Sequence, residues 1–226
     1  MKHLTKLFMI AMFGLLSFTN QPKKTKIVFF GDSITQQGVG KNGYISKMDS
    51  LIKLQGLGDN YELLGAGIGG NKIYDLYLRM EADVLDKKPD IVVIYIGIND
   101  VWHKTTSGTG TDPNKYEQFY RAIIKKLQVQ NIKVIVCTPT VIGEKNDETN
   151  LQDGDLNKYS KIIKSMAKDL LLPVCDLRLA FADYLKNNNP TNAEKGILTV
   201  DGVHLTNAGN FLVANTIWQT IYENSK

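Results

Sequence analysis

Four short segments of this chain carry the chemical types that acyl transfer uses. Gly31-Asp32-Ser33-Ile34-Thr35 offers a hydroxyl, and Gly65-Ala66-Gly67-Ile68-Gly69-Gly70 offers bare backbone N–H groups. Gly97-Ile98-Asn99-Asp100 offers a side-chain amide, and Asp201-Gly202-Val203-His204 an imidazole with a carboxylate three residues before it. A serine hydroxyl is a weak nucleophile until a base takes its proton. Histidine suits that work because its ordinary pKa lies near neutral pH. A carboxylate on the other ring nitrogen holds the tautomer and stabilises the imidazolium. The tetrahedral oxyanion then needs donors fixed in advance. The Ser33 N–H, an N–H of the glycine run and the Asn99 amide are the candidates.

Such a constellation needs elements that bring its parts to one edge, and the hydrophobic pattern supplies them. Lys26 to Phe30, Tyr61 to Leu64, Ile91 to Ile96, Lys133 to Cys137 and Pro173 to Asp176 read as five short strands. Ile91 to Ile96 is apolar throughout, as expected of a strand covered on both faces in a parallel sheet. Helical spacing recurs between the strands: Tyr44 to Ile52, Ile73 to Val84, Tyr116 to Leu127 behind Pro113, and Tyr159 to Leu170. A polar loop of about a dozen residues is expected after the third strand, longer than most connections. A short helix is expected over Ala180 to Leu185, a polar loop over Asn187 to Thr199, and a last helix over Asn207 to Tyr222 capped by Thr206. Alternating strands and helices predict an α/β three-layer sandwich around a five-stranded parallel sheet, with ligands at the C-terminal strand ends.

Gly31-Asp32-Ser33-Ile34, Gly67, Gly97-Ile98-Asn99-Asp100 and Asp201-Gly202-Val203-His204 together resemble the GDSL/SGNH hydrolase superfamily, in that family's order. Each motif alone is weak; four in order, three after strands and the last just before the final helix, are a strong signal. The resemblance implies a flavodoxin-like sandwich, no metal or other cofactor, and hydrolysis of esters or thioesters. It implies Ser33 as nucleophile, Asp201 and His204 as orienter and base, and Ser33, Gly67 and Asn99 as the oxyanion hole. The choice of Gly67 rests on the resemblance, with Gly65 and Gly69 open as alternatives. Two departures stand out. Gly65 occupies a position where the family usually has Asn, which leaves the loop to be tied down by another group such as Asn71. Ile34 replaces Leu, a volume-conserving change.

Each residue has a plainer reading. Ser33 alone reads as a helix cap as readily as a nucleophile, and Asn99-Asp100 as a turn. Asp32, Trp102 and His103 are candidates for substrate contact. Asp32 has the rival task of holding the turn around Ser33 by bonding backbone. Trp102 is placed to line an acyl or an alcohol pocket, and His103 to touch substrate or simply to lie at the surface. His204 has a neighbouring carboxylate and His103 has none, so His204 is the expected base. Trp218 falls on the core stripe of the last helix.

The 226 residues carry a net charge of +4 with lysines spread along the chain, which suits a solvated surface and not a nucleic-acid groove. Lys2, His3 and Lys6 precede an apolar run from Leu7 to Phe18 and a polar Thr19-Asn20-Gln21-Pro22. That reads as a signal peptide over residues 1–21, cleaved between Ser17 and Pro22, ahead of one domain over 22–226. The run is short of the ~20 residues of a membrane span, a retained anchor or buried helix being the competing reading. Its removal leaves a charge of about +2 and a secreted or periplasmic chain. Cys137 and Cys175 sit in apolar runs without metal-ligand spacing and read as buried free thiols, although export would permit a disulfide.

The expected function is a serine esterase acting on short acyl, above all acetyl, esters of a small molecule or carbohydrate. The polar stretches Val101 to Asp112 and Gly143 to Gly154 are a poor lining for a fatty tail. A lysophospholipase or acyl-thioesterase with the same residues is the alternative, and a silent glycan-binding module the second. A nucleotide-binding protein is disfavoured, because neither Gly-x-Gly-x-x-Gly after strand one nor a Walker lysine is present.

Overall fold

The computed structural model describes residues 23–147 and 149–224; the expected signal peptide lies outside the described residues. Five strands form one parallel sheet: β1 (Thr25–Gly31), β2 (Tyr61–Gly67), β3 (Ile91–Tyr95), β4 (Lys133–Cys137) and β5 (Val174–Cys175), in the order β2-β1-β3-β4-β5. Every residue of β3 is buried, as its unbroken apolar run demands. Cys137 and Cys175 are neighbours in register on β4 and β5, and both are buried free thiols.

Helices α1 (Ser33–Gly38), α2 (Tyr44–Leu54), α3 (Ile73–Asp83), α4 (Ile98–Thr106), α5 (Pro113–Val129), α6 (Asp153–Asp169), α7 (Leu177–Asn188) and α8 (Asn207–Glu223) complete the expected α/β sandwich. α2 packs on α8 and α8 on α7, while α5 packs on α3 and α6. Thr206 caps α8, its hydroxyl accepting from the Gly209 N–H at 3.1 Å. Trp218 is packed edge-on against Tyr61 and donates to Gln55, as its core position requires.

Two connections differ from expectation. The polar stretch after β3 begins as nine residues of helix, α4. Its hydroxyl-rich end is absorbed because Thr105 and Thr106 both donate back to Trp102 O at 3.1 Å. Such back-bonding lets a loop-like composition finish a helix. α7 likewise begins at Leu177, where Asp176 accepts from the Leu179 N–H, and Asn187 and Asn188 extend it by donating to carbonyls four residues back.

β2 and β3 leave β1 on opposite sides, so the connection out of β1 and that out of β3 diverge at the sheet's topological switch point. Ligand crevices of open α/β sheets form there. Ser33 opens the helix after β1, and Asn99 lies in the first turn of the helix after β3.

Candidate active site

Ser33 owes its position to a tight strand-to-helix turn. A Cβ on Gly31 would meet Thr35 Oγ1 at 2.3 Å and Tyr95 O at 2.4 Å, so only glycine lets β1 turn so close to β3. The cap of α1 is Asp32, not Ser33: its Oδ1 accepts from the Ile34 N–H at 3.0 Å, and its carbonyl accepts from the Gln36 N–H at 2.9 Å. Asp32 is 2% exposed, so of its two open roles the geometry supports holding the turn beneath Ser33. Ser33 itself is left free of capping duty.

Its hydroxyl instead meets His204. Ser33 Oγ lies 2.9 Å from His204 Nε2, and His204 Nδ1 lies 2.7 Å from Asp201 Oδ2. The other Asp201 oxygen accepts from the backbone N–H groups of His204 at 2.7 Å and Val203 at 2.9 Å. A four-residue turn thus ties the carboxylate to the histidine it orients. Burial opposes the Asp201 charge, but the His204 ring and these two N–H groups together hold its pKa below the usual carboxylate range.

Gly67 stands opposite Gly31 at the end of the β1–β2 ladder. A Cβ there would come within 2.1 Å of Gln36 N and 2.6 Å of Asp32 O, so the Ser33 turn and this strand end touch backbone to backbone. The Gly69 N–H is already donated to Gln36 Oε1 at 2.9 Å, and Gly65 lies inside the ladder opposite Phe29. Asn99 is 3% exposed and donates from Nδ2 to Asn71 O at 3.1 Å, leaving its second amide hydrogen uncommitted among the described residues.

The loop that lacks the family's Asn is held by a residue that sequence reasoning missed. Arg79, on α3, donates to Gly31 O at 2.8 Å, Ala66 O at 3.0 Å and Asn71 Oδ1 at 2.7 Å, and pairs with Asp83. One guanidinium joins the ends of β1 and β2 to the loop before α3. Five fixed donors make arginine the side chain for that task. Asn71 does tie the loop, as the sequence left open.

Trp102 and His103 lie on α4, not on a loop. The Trp102 ring is edge-on to His204 with centroids 6.4 Å apart. Beside it opens a cleft of about 530 Å³ lined by Trp102, Ile142, Asn150, Lys195, Asp201 and Val203, among others. His103 lies beside Trp102, with ring centroids 5.9 Å apart, and near Gly70, where burial and then the Lys72 charge lower its pKa.

Asp100 is fully buried behind Asn99. Oδ1 accepts from the Ile73 N–H at 3.2 Å, while Oδ2 faces Thr111 Oγ1 without a hydrogen bond of ordinary geometry among the described residues. Burial pushes the Asp100 carboxyl up to about 7 against the pull of Thr111, Ile73 and Lys72, and the nearby Asp32 adds to the rise. Burial likewise pushes Asp32 up to about 7. Native carboxyls thus hold protons that the unfolded chain, at 3.8, has released. Their stabilising effect is complete below pH 3.8 and lost as pH rises through about 7. For one such group that is roughly 4 kcal/mol, at about 1.4 kcal/mol per tenfold change in proton affinity. Asp100→Asn supplies a permanent donor to Thr111 and should cut the decline in unfolding free energy between pH 4 and 8 by about half. Urea titrations at those two pH values test it, and an unchanged decline would sink this reading of Asp100.

Residues 29–211 match the model of the GDSL-like lipase/acylhydrolase family, and the chain belongs to that family. It is accordingly a carboxylic ester hydrolase. Among solved structures it is similar to the acetyl xylan esterase AlAXEase, with 58% identity and a TM-score of 0.85 over 87% of this chain and 99% of that one. It is also similar to Axe2, an acetylxylan esterase from Geobacillus stearothermophilus, with 28% identity and a TM-score of 0.76 over 87% and 94% of the two chains. An uncharacterised lipoprotein of Bacillus subtilis, YqeF, is 27% identical over 83% of this chain and 85% of its own length.

Proposed function

We propose that this chain is an exported serine esterase that removes acetyl groups from carbohydrate. The observation that carries the reading is the unbroken contact from Ser33 Oγ through His204 to Asp201. Its similarity to acetylxylan esterases, one of them 58% identical, supports the substrate class. Two Axe2 structures described as catalytic mutants replace a serine and a histidine, the residue types of Ser33 and His204. Among the described residues no helix is long and apolar enough to cross a membrane, and we assign residues 1–21 to an export signal from their charged and apolar pattern.

In this mechanism Ser33 Oγ bonds to the acetyl carbonyl carbon while His204 Nε2 takes the hydroxyl proton. The oxyanion sits against the Ser33 and Gly67 N–H groups and the Asn99 amide. His204 then returns the proton to the sugar oxygen as the carbon–oxygen bond breaks, leaving acetyl on Ser33. Water, deprotonated by His204, releases acetate and restores the serine. Because the departing oxygen must reach His204, the sugar lies on the His204 side, where the Trp102 cleft opens. That assigns Trp102 to the alcohol side. Gly69 bears no side chain beside Ser33; a methyl there would lie in ordinary contact, 3.9 Å from Ser33 Cβ. The cleft rim carries Lys145, Asn150, Glu194 and Lys195, which suits hydroxylated substrates better than a lipid tail.

Initial rates on p-nitrophenyl esters from acetyl to palmitoyl, with acetylated xylo-oligosaccharides alongside, test the reading. Activity should be confined to acetyl and butyryl esters and extend to the oligosaccharides. A maximum at octanoyl or longer would replace it with the lysophospholipase or thioesterase reading.

A further inference from the structure

Glu144 lies on the loop after β4 and is fully buried, yet no step above uses it. Its carboxylate receives a converging set of donors from the segment just before the Asp201–His204 turn. Oε2 accepts from the Ile197 N–H at 2.9 Å, and Oε1 from the Leu198 N–H at 2.7 Å, the Thr199 hydroxyl at 2.7 Å and the Thr199 N–H. No cation pairs with it among the described residues. The backbone around it is tied to the same region. Gly143 N–H donates to Gly202 O at 2.8 Å, Glu144 N–H to Glu194 O at 2.8 Å, and Asn189 Nδ2 to Glu144 O at 2.8 Å.

What these bonds hold is a small hairpin. Thr199 and Leu205 form an antiparallel bridge, and the Val200 N–H donates to His204 O at 2.7 Å. Asp201 and His204 therefore sit on a closed loop with two legs. The returning leg runs into α8 at its cap, Thr206, which also ties the two legs together by donating to Leu198 O from its N–H and to Ile197 O from its hydroxyl. The outgoing leg is anchored by Glu144. A buried acceptor facing four donors is expensive to replace, since each donor left unpaired keeps its desolvation cost.

We propose that Glu144 is a positioning residue of the hydrolase, setting the outgoing leg of the hairpin so that His204 meets Ser33. The inference rests on the functional reading above, in which His204 is the base. A misplacement of about 1 Å in such an arrangement costs on the order of 10² in rate. Glu144→Gln keeps the volume but turns an NH₂ group toward donors.

The test is kcat and KM on p-nitrophenyl acetate for Glu144→Gln, Glu144→Asp and Thr199→Val, each corrected for its folded fraction from urea unfolding. Glu144→Gln should lower kcat about 10- to 100-fold with KM within about twofold of wild type. Glu144→Asp should recover part of the loss, and Thr199→Val, which removes one donor of four, should lower kcat several-fold. In an Asp201→Asn background the Glu144→Gln change should cost little more, because both act through the same histidine. Wild-type kcat in Glu144→Gln, or a full additional loss in that background, would overturn the proposal. Should Glu144→Gln fail to fold, Thr199→Val decides: an unchanged kcat overturns it. Wild-type activity that survives Ser33→Ala would instead overturn the underlying reading, and this inference with it.

Discussion

Ser33→Ala should abolish measurable turnover, lowering kcat on p-nitrophenyl acetate by about 10⁵- to 10⁶-fold, as loss of a nucleophile does in other serine hydrolases. The fold should survive, because the α1 cap is Asp32 and, among the described residues, the serine hydroxyl bonds only His204. Circular dichroism and the urea midpoint should therefore match wild type. The residual rate should still exceed that in water by about 10³-fold, from oxyanion donors and binding alone. A variant that keeps a tenth of wild-type activity would remove Ser33 from the mechanism. The acetylated carbohydrate would then need another nucleophile.

Asp201→Asn should lower kcat by about 10⁴-fold. The substitution changes which ring nitrogen carries the proton. The amide oxygen can still accept from the His204 and Val203 N–H groups, so the turn should keep its shape. Its NH₂ then faces His204 Nδ1, which must accept, and the proton moves to Nε2. A histidine protonated at Nε2 cannot take the Ser33 proton. Raising the pH should not restore the rate, because the fault is one of tautomer and not of ionisation. A loss under tenfold would mean that Asp201 serves only to shape the turn. His103→Ala is the natural comparison: it sits beside Trp102 and near Gly70 with no carboxylate on its ring among the described residues, so its loss should be modest.

The alternation of strands and helices, and the chemistry waiting at the strand ends, were legible in the sequence because both are local. Ile91 to Tyr95 announces a central strand by composition alone, and Asp201 lies three residues from the histidine it meets. The helix over Ile98–Thr106 was not legible, since its Thr residues and the Ser107 that caps it are spent on main-chain carbonyls one turn back, a use identical in composition to a loop. Arg79 and Glu144 were hidden for another reason. Each bonds backbone atoms far along the chain, Arg79 to Gly31 and Glu144 to residues 197–199. Backbone acceptors and donors exist at every residue, so such a side chain leaves no pattern of spacing to read. The glycine run was legible as a run; the close approaches of Gly65 to Val39 and of Gly67 to Gln36 show which members have no room for a side chain.

The parallel sheet also sorts the molecule into two poles. β1 starts at Thr25 and delivers Ser33 about 20 Å away at the opposite end, at ~3.3 Å per residue. α8 starts beside the site at Thr206 and returns about 25 Å, at 1.5 Å per residue. Its end at Asn224 shares a crevice with Ile91, Lys133 and Pro173, at the starting ends of the strands. Both ends of the described chain therefore emerge on the face turned away from the serine. An affinity tag, a glycan-binding module or a solid support joined at either end would leave the mouth of the enzyme pointing outward, free to meet a polymer too large to enter it.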